Sequence, residues 1–273
     1  MSLSGQMDDE QGRILKLHTL KGYIQAIYLV EYPDKLMLLD GASRADISKI
    51  KDFIQVDLQR PLSDLKLVVV THMHPDHAGA AHLLRKQIGC QIASSNKEKD
   101  WYSGFDGIAM HWTDLALAKW MANRMGSKKS ALWYPRQLNP DYRLSDGDSI
   151  PHFEDWQVFD TPGHTDRDLS VYHRESKTVY VGDLMVEVKK RLIAPFPIFH
   201  PNQYRESVKR IYKLDCHSVL AAHGGEVVFD HDAYQHLIDT APRRPITHWR
   251  VTKIKLKGVG RAILATLFLK RKH

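Results

Sequence analysis

Three imidazoles and one carboxylate fall within six residues at His72-Met73-His74-Pro75-Asp76-His77. Imidazole nitrogen and carboxylate oxygen are the donors that borderline divalent cations such as Zn²⁺ take up, at about 2.0–2.2 Å. Alternate residues of a tight loop project to one side. His72 and His74 can therefore reach one ion, and the bend at Pro75 turns Asp76 and His77 toward a second. An isolated His-x-His is more often part of a solvated polar loop. This cluster instead follows directly on the apolar run Leu65–Thr71, which favours a metal site over a surface loop. Three later segments offer single donors: Thr161-Pro162-Gly163-His164-Thr165, Gly182-Asp183 and His223-Gly224-Gly225. Each donor has a small residue beside it, which lets the backbone approach an ion closely. The count of 16 histidines in 273 residues points the same way.

Thr71, Thr165 and Asp168 flank the donors and are expected to hydrogen-bond ligating imidazoles, although polar residues at strand ends are common without such a role. The chain has no Gly-x-Ser-x-Gly elbow, and Cys90 and Cys216 lie outside every motif. A serine or cysteine nucleophile is not called for.

The elements that must position these residues read as alternating strands and helices. Arg13–His18, Ile24–Val30 and Lys35–Asp40 are rich in branched and aromatic residues and are broken by Lys21-Gly22 and Pro33-Asp34. Ile47–Val56 has helical spacing. Leu65–Thr71 is continuously apolar, as expected of a strand buried on both faces. Gly79–Ile88 predicts a helix and Gln91–Ser94 a strand. Within residues 100–145 only Leu115–Met125 has clear helical spacing. Trp101, Tyr102, Trp112, Trp120, Trp133 and Tyr134 surround it, either to line a pocket or to pack helices. After the turn signal Ser145-Asp146-Gly147-Asp148, strands are predicted at Trp156–Phe159, Leu169–His173, Thr178–Val181 and Ser218–Ala221, with helices at Asn202–Leu214 and Asp232–Ala241. Strands followed by helices, twice over, imply a layered α/β protein. The expected organisation is a catalytic domain over 13–240 with a helical insertion at 100–145, then a basic appendix over 241–273.

Charge is uneven. The chain carries +7 overall, yet no Asp or Glu follows Asp239 while ten Lys or Arg do, so residues 1–239 balance at −3. Val259–Leu269 is mostly apolar and flanked by basic residues. Residues 250–273 can be read as a contact for an anionic surface, or as a terminal helix packed on the body. Two cysteines make no disulfide framework, and MSLSGQMDDEQG lacks the basic and apolar regions of a secretion signal, so a cytoplasmic setting is expected.

The motifs Thr71-His72-Met73-His74-Pro75-Asp76-His77-Ala78-Gly79-Ala80, Thr161-Pro162-Gly163-His164-Thr165, Gly182-Asp183-Leu184 and Ala222-His223-Gly224-Gly225 resemble those of the metallo-β-lactamase superfamily. Within it they look like the dinuclear hydrolases such as glyoxalase II (hydroxyacylglutathione hydrolase) and the lactonases. The resemblance runs from about Arg13 to His231. It implies a four-layer αββα sandwich with the site at one edge. It also implies two divalent ions, zinc first and iron or manganese as alternatives with the same donor types. His72, His74 and His164 would hold one ion, Asp76, His77 and His223 the other, and Asp183 would bridge both. A hydroxide shared by the ions would attack the carbonyl of an ester, thioester or lactone, with Asp76 orienting it and passing a proton to the leaving group. The bridging Asp183 points away from true β-lactam hydrolysis. The basic and tyrosine cluster that glyoxalase II uses for glutathione is missing after the last donor, which points to a small-molecule substrate of another kind. Phosphodiester or RNA cleavage on the same metals is the main alternative, although the body is slightly acidic and no specific nucleic acid is expected. Iron-dependent redox chemistry and a non-catalytic scaffold are the others. A flavin domain does not fit in this length, and the donor set is complete.

Overall fold

The computed structural model describes residues 3–8, 14–97 and 99–247. Of the appendix expected over 241–273, residues 248–273 lie outside the described residues, and so does the anionic contact expected over 250–273.

Seven strands form the first sheet, in sequence order across it. They are β1 (Leu3–Asp8), β2 (Ile14–Lys21), β3 (Ala26–Glu31), β4 (Leu36–Leu38), β5 (Leu65–Val70), β6 (Gln91–Ser95) and β7 (Tyr142–Leu144). The first four pair antiparallel and the last four parallel. The second sheet has the order β15-β14-β11-β10-β9-β8, from β8 (Ser149–Ile150), β9 (Phe153–Asp160), β10 (Leu169–His173), β11 (Thr178–Tyr180), β14 (Ser218–Ala221) and β15 (Gly225–Val227). A separate hairpin joins β12 (Val186–Val188) to β13 (Arg191–Ile193).

Period-two alternation sorts the side chains into layers. On β5, Leu67 and Val69 face the second sheet, where they meet Val158, Val171, Tyr180 and Leu220. Val68 and Val70 face outward with Leu36, Leu38 and Ile92. That outer face is covered by α1 (Ile47–Asp52, continued as a wider turn over Phe53–Asp57), α2 (Ala81–Ile88) and α3 (Gly104–Arg124), through Ile50, Ile54, Leu84 and Leu115. The second sheet's outer face, Val179, Val181, Val219 and Ala221, is covered by α4 (Pro201–Lys213) and α5 (His231–Thr240), through Tyr204, Val208, Ile211 and Leu237. The result is the expected αββα sandwich, with β5 buried on both faces.

The differences from expectation lie at the edges. The helix predicted over Leu115–Met125 starts eleven residues earlier, at Gly104. Its first half carries Phe105, Ile108 and Trp112 on the exposed side, and apolar residues facing solvent hide the helical period. The β12–β13 hairpin was not predicted. Its turn places Lys189 and Lys190 at φ +53° and +62°, a conformation usually signalled by Asn or Gly. Among the described residues no helix is long and apolar enough to cross a membrane.

Candidate metal centre

Every donor sits just past the carboxyl end of a strand. His72 follows β5 by one residue, Asp183 follows β11, and His223 follows β14. His164 lies on the loop after β9. Such strand ends open onto a common crevice in layered sheets. Here they bring all seven predicted donors together at one edge of the sandwich.

The donors fall into two groups. His72, His74, His164 and Asp183 form one, and Asp76, His77 and His223 the other, with the ligand atoms of each group within 4.8 Å of one another. In the first group His74 Nδ1 lies 3.1 Å from His72 Nε2 and 2.9 Å from His164 Nε2. Nitrogens bound to one tetrahedral zinc at about 2.0–2.1 Å stand roughly 3.3 Å apart, so three imidazoles already converge as ligands do. In the second, Asp76 Oδ2 is 3.3 Å from His223 Nε2 and 3.8 Å from His77 Nε2. The oxygens of Asp183 divide between the groups. Oδ2 is 3.6 Å from His164 Nε2, while Oδ1 is 3.3 Å from His77 Nε2 and 3.5 Å from His223 Nε2.

Outer contacts fix which nitrogen each ring presents. His72 Nδ1 donates to Thr71 Oγ1 at 3.1 Å, and that hydroxyl donates onward to Asp40 Oδ2 at 2.8 Å. His77 Nδ1 donates to Asp40 Oδ2 at 2.6 Å, and His164 Nδ1 to the carbonyl of Pro197 at 2.6 Å. All three rings therefore turn Nε2 inward. His74 is reversed, with Nδ1 inward and Nε2 3.7 Å from Asp114 Oδ2. His77 Nε2 and Asp183 Oδ1 are buried with no hydrogen-bond partner. Such orphaned atoms are costly unless something binds them, and these fit cations.

The electrostatics separate the two groups. Burial, reinforced by neighbouring imidazoles, holds His72 and His74 well below the ordinary histidine range, so both are neutral and free to ligate. Burial opposes charge on His77 and His223 too, but Asp183 outweighs it, helped by Asp76, and holds both above that range. Burial likewise opposes ionisation of Asp76, yet His77 and His223 hold it at about 2. Asp183 is held well below the carboxylate range by the same two rings.

Two expectations need correction. Thr165 and Asp168 hydrogen-bond each other and not the ligating ring. The backbone N of Thr165 donates to Asp168 Oδ2 at 2.7 Å, and its hydroxyl donates to Oδ1 at 2.5 Å. The two brace the loop while Pro197 takes the His164 proton. The aromatics of the insertion also divide. Trp120 lines the cavity above the centre, whereas Tyr102 and Tyr134 are buried supports that donate to Asp114 and to the Met73 carbonyl. Trp112 and Trp133 are exposed.

Sequence reasoning missed Asp40 and Asp114. Asp40 had a visible signal, since it ends the apolar run Leu36–Leu39 as His72 ends another. Asp114 had none, because α3 brings it across from a distant segment. Burial pushes Asp114 up to about 7, against the lowering effect of the Tyr102 hydroxyl. Asp114→Asn is expected to weaken metal binding about 10-fold in a chelator competition. Unchanged affinity would remove Asp114 from the support of His74.

Backbone geometry also positions His164. Gly163 has φ +156°, and a Cβ there would stand 2.6 Å from Tyr204 Cα on α4. The Gly163 carbonyl accepts from the backbone N of Phe199 and of His200, both at 3.0 Å. Gly163→Ala is expected to lower stability by about 1–3 kcal/mol in denaturant unfolding, because the helix must shift to admit the methyl group. An unchanged midpoint would show that α4 yields freely.

The sequence profile described as Metallo-beta-lactamase superfamily matches residues 20–223, a span that contains all seven donors. The chain belongs to the metallo-beta-lactamase superfamily. It is 25% identical over 217 residues to the probable metallo-hydrolase YqjP of Bacillus subtilis (strain 168), covering 72% of this chain and 66% of that relative. It is 27% identical over 125 residues to the hydroxyacylglutathione hydrolase GloC of Haemophilus influenzae, covering 45% of this chain and 51% of that one. The chain thus spans less than two thirds of the length of both relatives. Among solved structures, the archaeal superfamily protein ST1585 from Sulfolobus tokodaii superposes with a TM-score of 0.59 at 18% identity, covering 82% of this chain and 84% of that one. At that identity the likeness concerns the metallo-beta-lactamase fold alone.

Proposed function

We propose that the protein is a dinuclear metallo-hydrolase acting on the carbonyl of an ester, thioester or lactone, in the branch that resembles glyoxalase II and the lactonases. The carrying observation is Asp183, whose two oxygens face the two donor groups at 3.3–3.6 Å. His72, His74 and His164 would hold one ion and Asp76, His77 and His223 the other, with Asp183 available to both. Zinc suits a donor set of imidazoles and carboxylates. Bound there, two such ions would supply Lewis acidity and a water that ionises near neutral pH. Asp76 is ionised at neutral pH and lines the cavity. In this reading it orients the attacking water, takes its proton and returns it to the leaving group.

The likeness to YqjP and GloC supports a metallo-hydrolase. The cavity above the centre supports a neutral substrate. Its volume is about 860 Å³, and Lys21 is the one Lys or Arg among its described lining residues, against Asp76, Asp114, Asp183 and Glu187. A site for a polyanionic phosphodiester would be rich in cations. Residues 13–240 form the catalytic unit in this proposal, with 100–145 supplying one wall. Cys90 and Cys216 are unpaired, in keeping with a cytoplasmic setting.

Turnover of p-nitrophenyl esters, acyl thioesters and lactones by the zinc-loaded protein, beside bis-p-nitrophenyl phosphate, tests the reading. Ester, thioester or lactone turnover is expected. Phosphodiester turnover without any of these would overturn it.

A further inference from the structure

Half of the large apolar side chains exposed among the described residues sit on one helix. Phe105, Ile108, Trp112, Trp120 and Met121 lie on α3, and Met125 caps it. Single exposed apolar residues are ordinary, but a contiguous group marks a surface of contact. Phe105, Ile108, Trp112 and Trp120 follow one another at intervals of three, four and eight residues, close to whole helical turns. They form one outward stripe about 22 Å long, which the exposed Ala109 and Ala116 fill. Phe105 is 92% exposed and Trp112 59%. The opposite face of α3 packs Leu115, Ala118 and Ala122 on the body.

Charge singles out the kind of partner. Over residues 103–131 the exposed charged side chains are Lys119, Arg124, Lys128 and Lys129, against Asp106 alone. The Arg124 guanidinium lies over the Trp120 ring, 4.9 Å from its centroid. A stripe of Phe and Trp flanked by long cationic side chains suits the interface of an anionic bilayer, where rings enter the headgroup layer and Lys and Arg meet phosphate. The chain also leaves the described body at this rim. Ile246 pairs with Ile198, and the nearby Phe196 lines the cavity together with Trp120, Met121 and Met125. Residues 248–273 follow, with eight Lys or Arg and no Asp or Glu. The α3 face and this segment carry the same sign of charge, so neither complements the other. A second copy docked on the stripe would likewise set cations against cations. An anionic surface complements both.

We propose that the outward stripe of α3 is a docking surface for an anionic phospholipid bilayer. Phe105, Trp112 and Trp120 enter the headgroup layer, and the four flanking cations contact lipid phosphates. Because its other face is packed on the body, α3 lies along the bilayer and does not cross it. Trp120 belongs to both the stripe and the cavity lining, so docking brings the cavity rim to the membrane.

Vesicle flotation of the zinc-loaded full chain tests the docking. Binding is expected to vesicles of equimolar phosphatidylserine and phosphatidylcholine, and to be about ten-fold weaker on phosphatidylcholine alone or at high salt. Phe105→Gln with Trp112→Gln is expected to weaken binding about 30-fold. Tm stays unchanged, since both side chains already face water. Lys119→Gln, Lys128→Gln and Lys129→Gln together are expected to weaken it about 100-fold. Brominated phosphatidylcholine in the same vesicles is expected to quench tryptophan emission, and to quench it less in Trp112→Phe with Trp120→Phe. Lys253→Gln, Lys255→Gln and Lys257→Gln together report on the C-terminal segment. Binding lost in that variant but kept in both α3 variants would overturn docking through α3. No binding to anionic vesicles would overturn it as well. So would association with RNA or with a second copy that the α3 substitutions abolish while vesicle binding is untouched.

Discussion

Asp183→Ala is expected to lower metal content from two equivalents to one or fewer and to reduce kcat by about 10³-fold. Among the described residues Asp183 is the one whose oxygens face both donor groups, with Oδ1 toward His77 and His223 and Oδ2 toward His164. Without it, three imidazoles lose their shared anion and the two groups lose their link. The size of the effect follows from what preorganised charge at a reacting carbonyl contributes, about 10²–10³ for a single donor, with loss of an ion added to it. Metal analysis and turnover on the best ester check the result, and far-UV circular dichroism checks folding. Full activity with two metals retained would refute the bridging role.

Removing the metal with a chelator is expected to abolish turnover and to lower Tm by about 20 °C, with both restored by added zinc. Ions present at about 1,000 times Kd stabilise the native state by about 4 kcal/mol per site. A chain of this size moves roughly 2–4 °C per kcal/mol. The structural reason is the cluster itself. His72, His74 and His164 converge on one another, and His77 Nε2 and Asp183 Oδ1 are buried without hydrogen-bond partners. With the ions gone, these atoms face one another with nothing between them. A thermal scan with and without chelator reads the effect directly. A Tm indifferent to chelator would contradict the assignment.

The donor set was legible because metal ligation leaves a local signature. His72-x-His74-x-Asp76-His77 is compact, and each later donor stands beside a glycine or proline at the end of an apolar run. The central strands were legible for a related reason. A strand covered on both faces, such as β5, must be apolar throughout. The supports of the site were less visible, because they act across the fold. Asp114 reaches His74 from α3, and the Pro197 carbonyl reaches His164 from the strap after β13. Neither relation has a sequence spacing to read. The short strands β7, β8, β12 and β13 have two or three residues each, too few to display alternation. The early half of α3 was hidden by the apolar residues it exposes, Phe105, Ile108 and Trp112.

The central claim is a pair of metal ions joined through Asp183. Anomalous diffraction from crystals of the protein, collected above and below the zinc edge, tests it most directly. The account predicts two peaks on opposite sides of the Asp183 carboxylate, one among His72, His74 and His164 and the other among Asp76, His77 and His223. A single peak, or peaks away from Asp183, would contradict it.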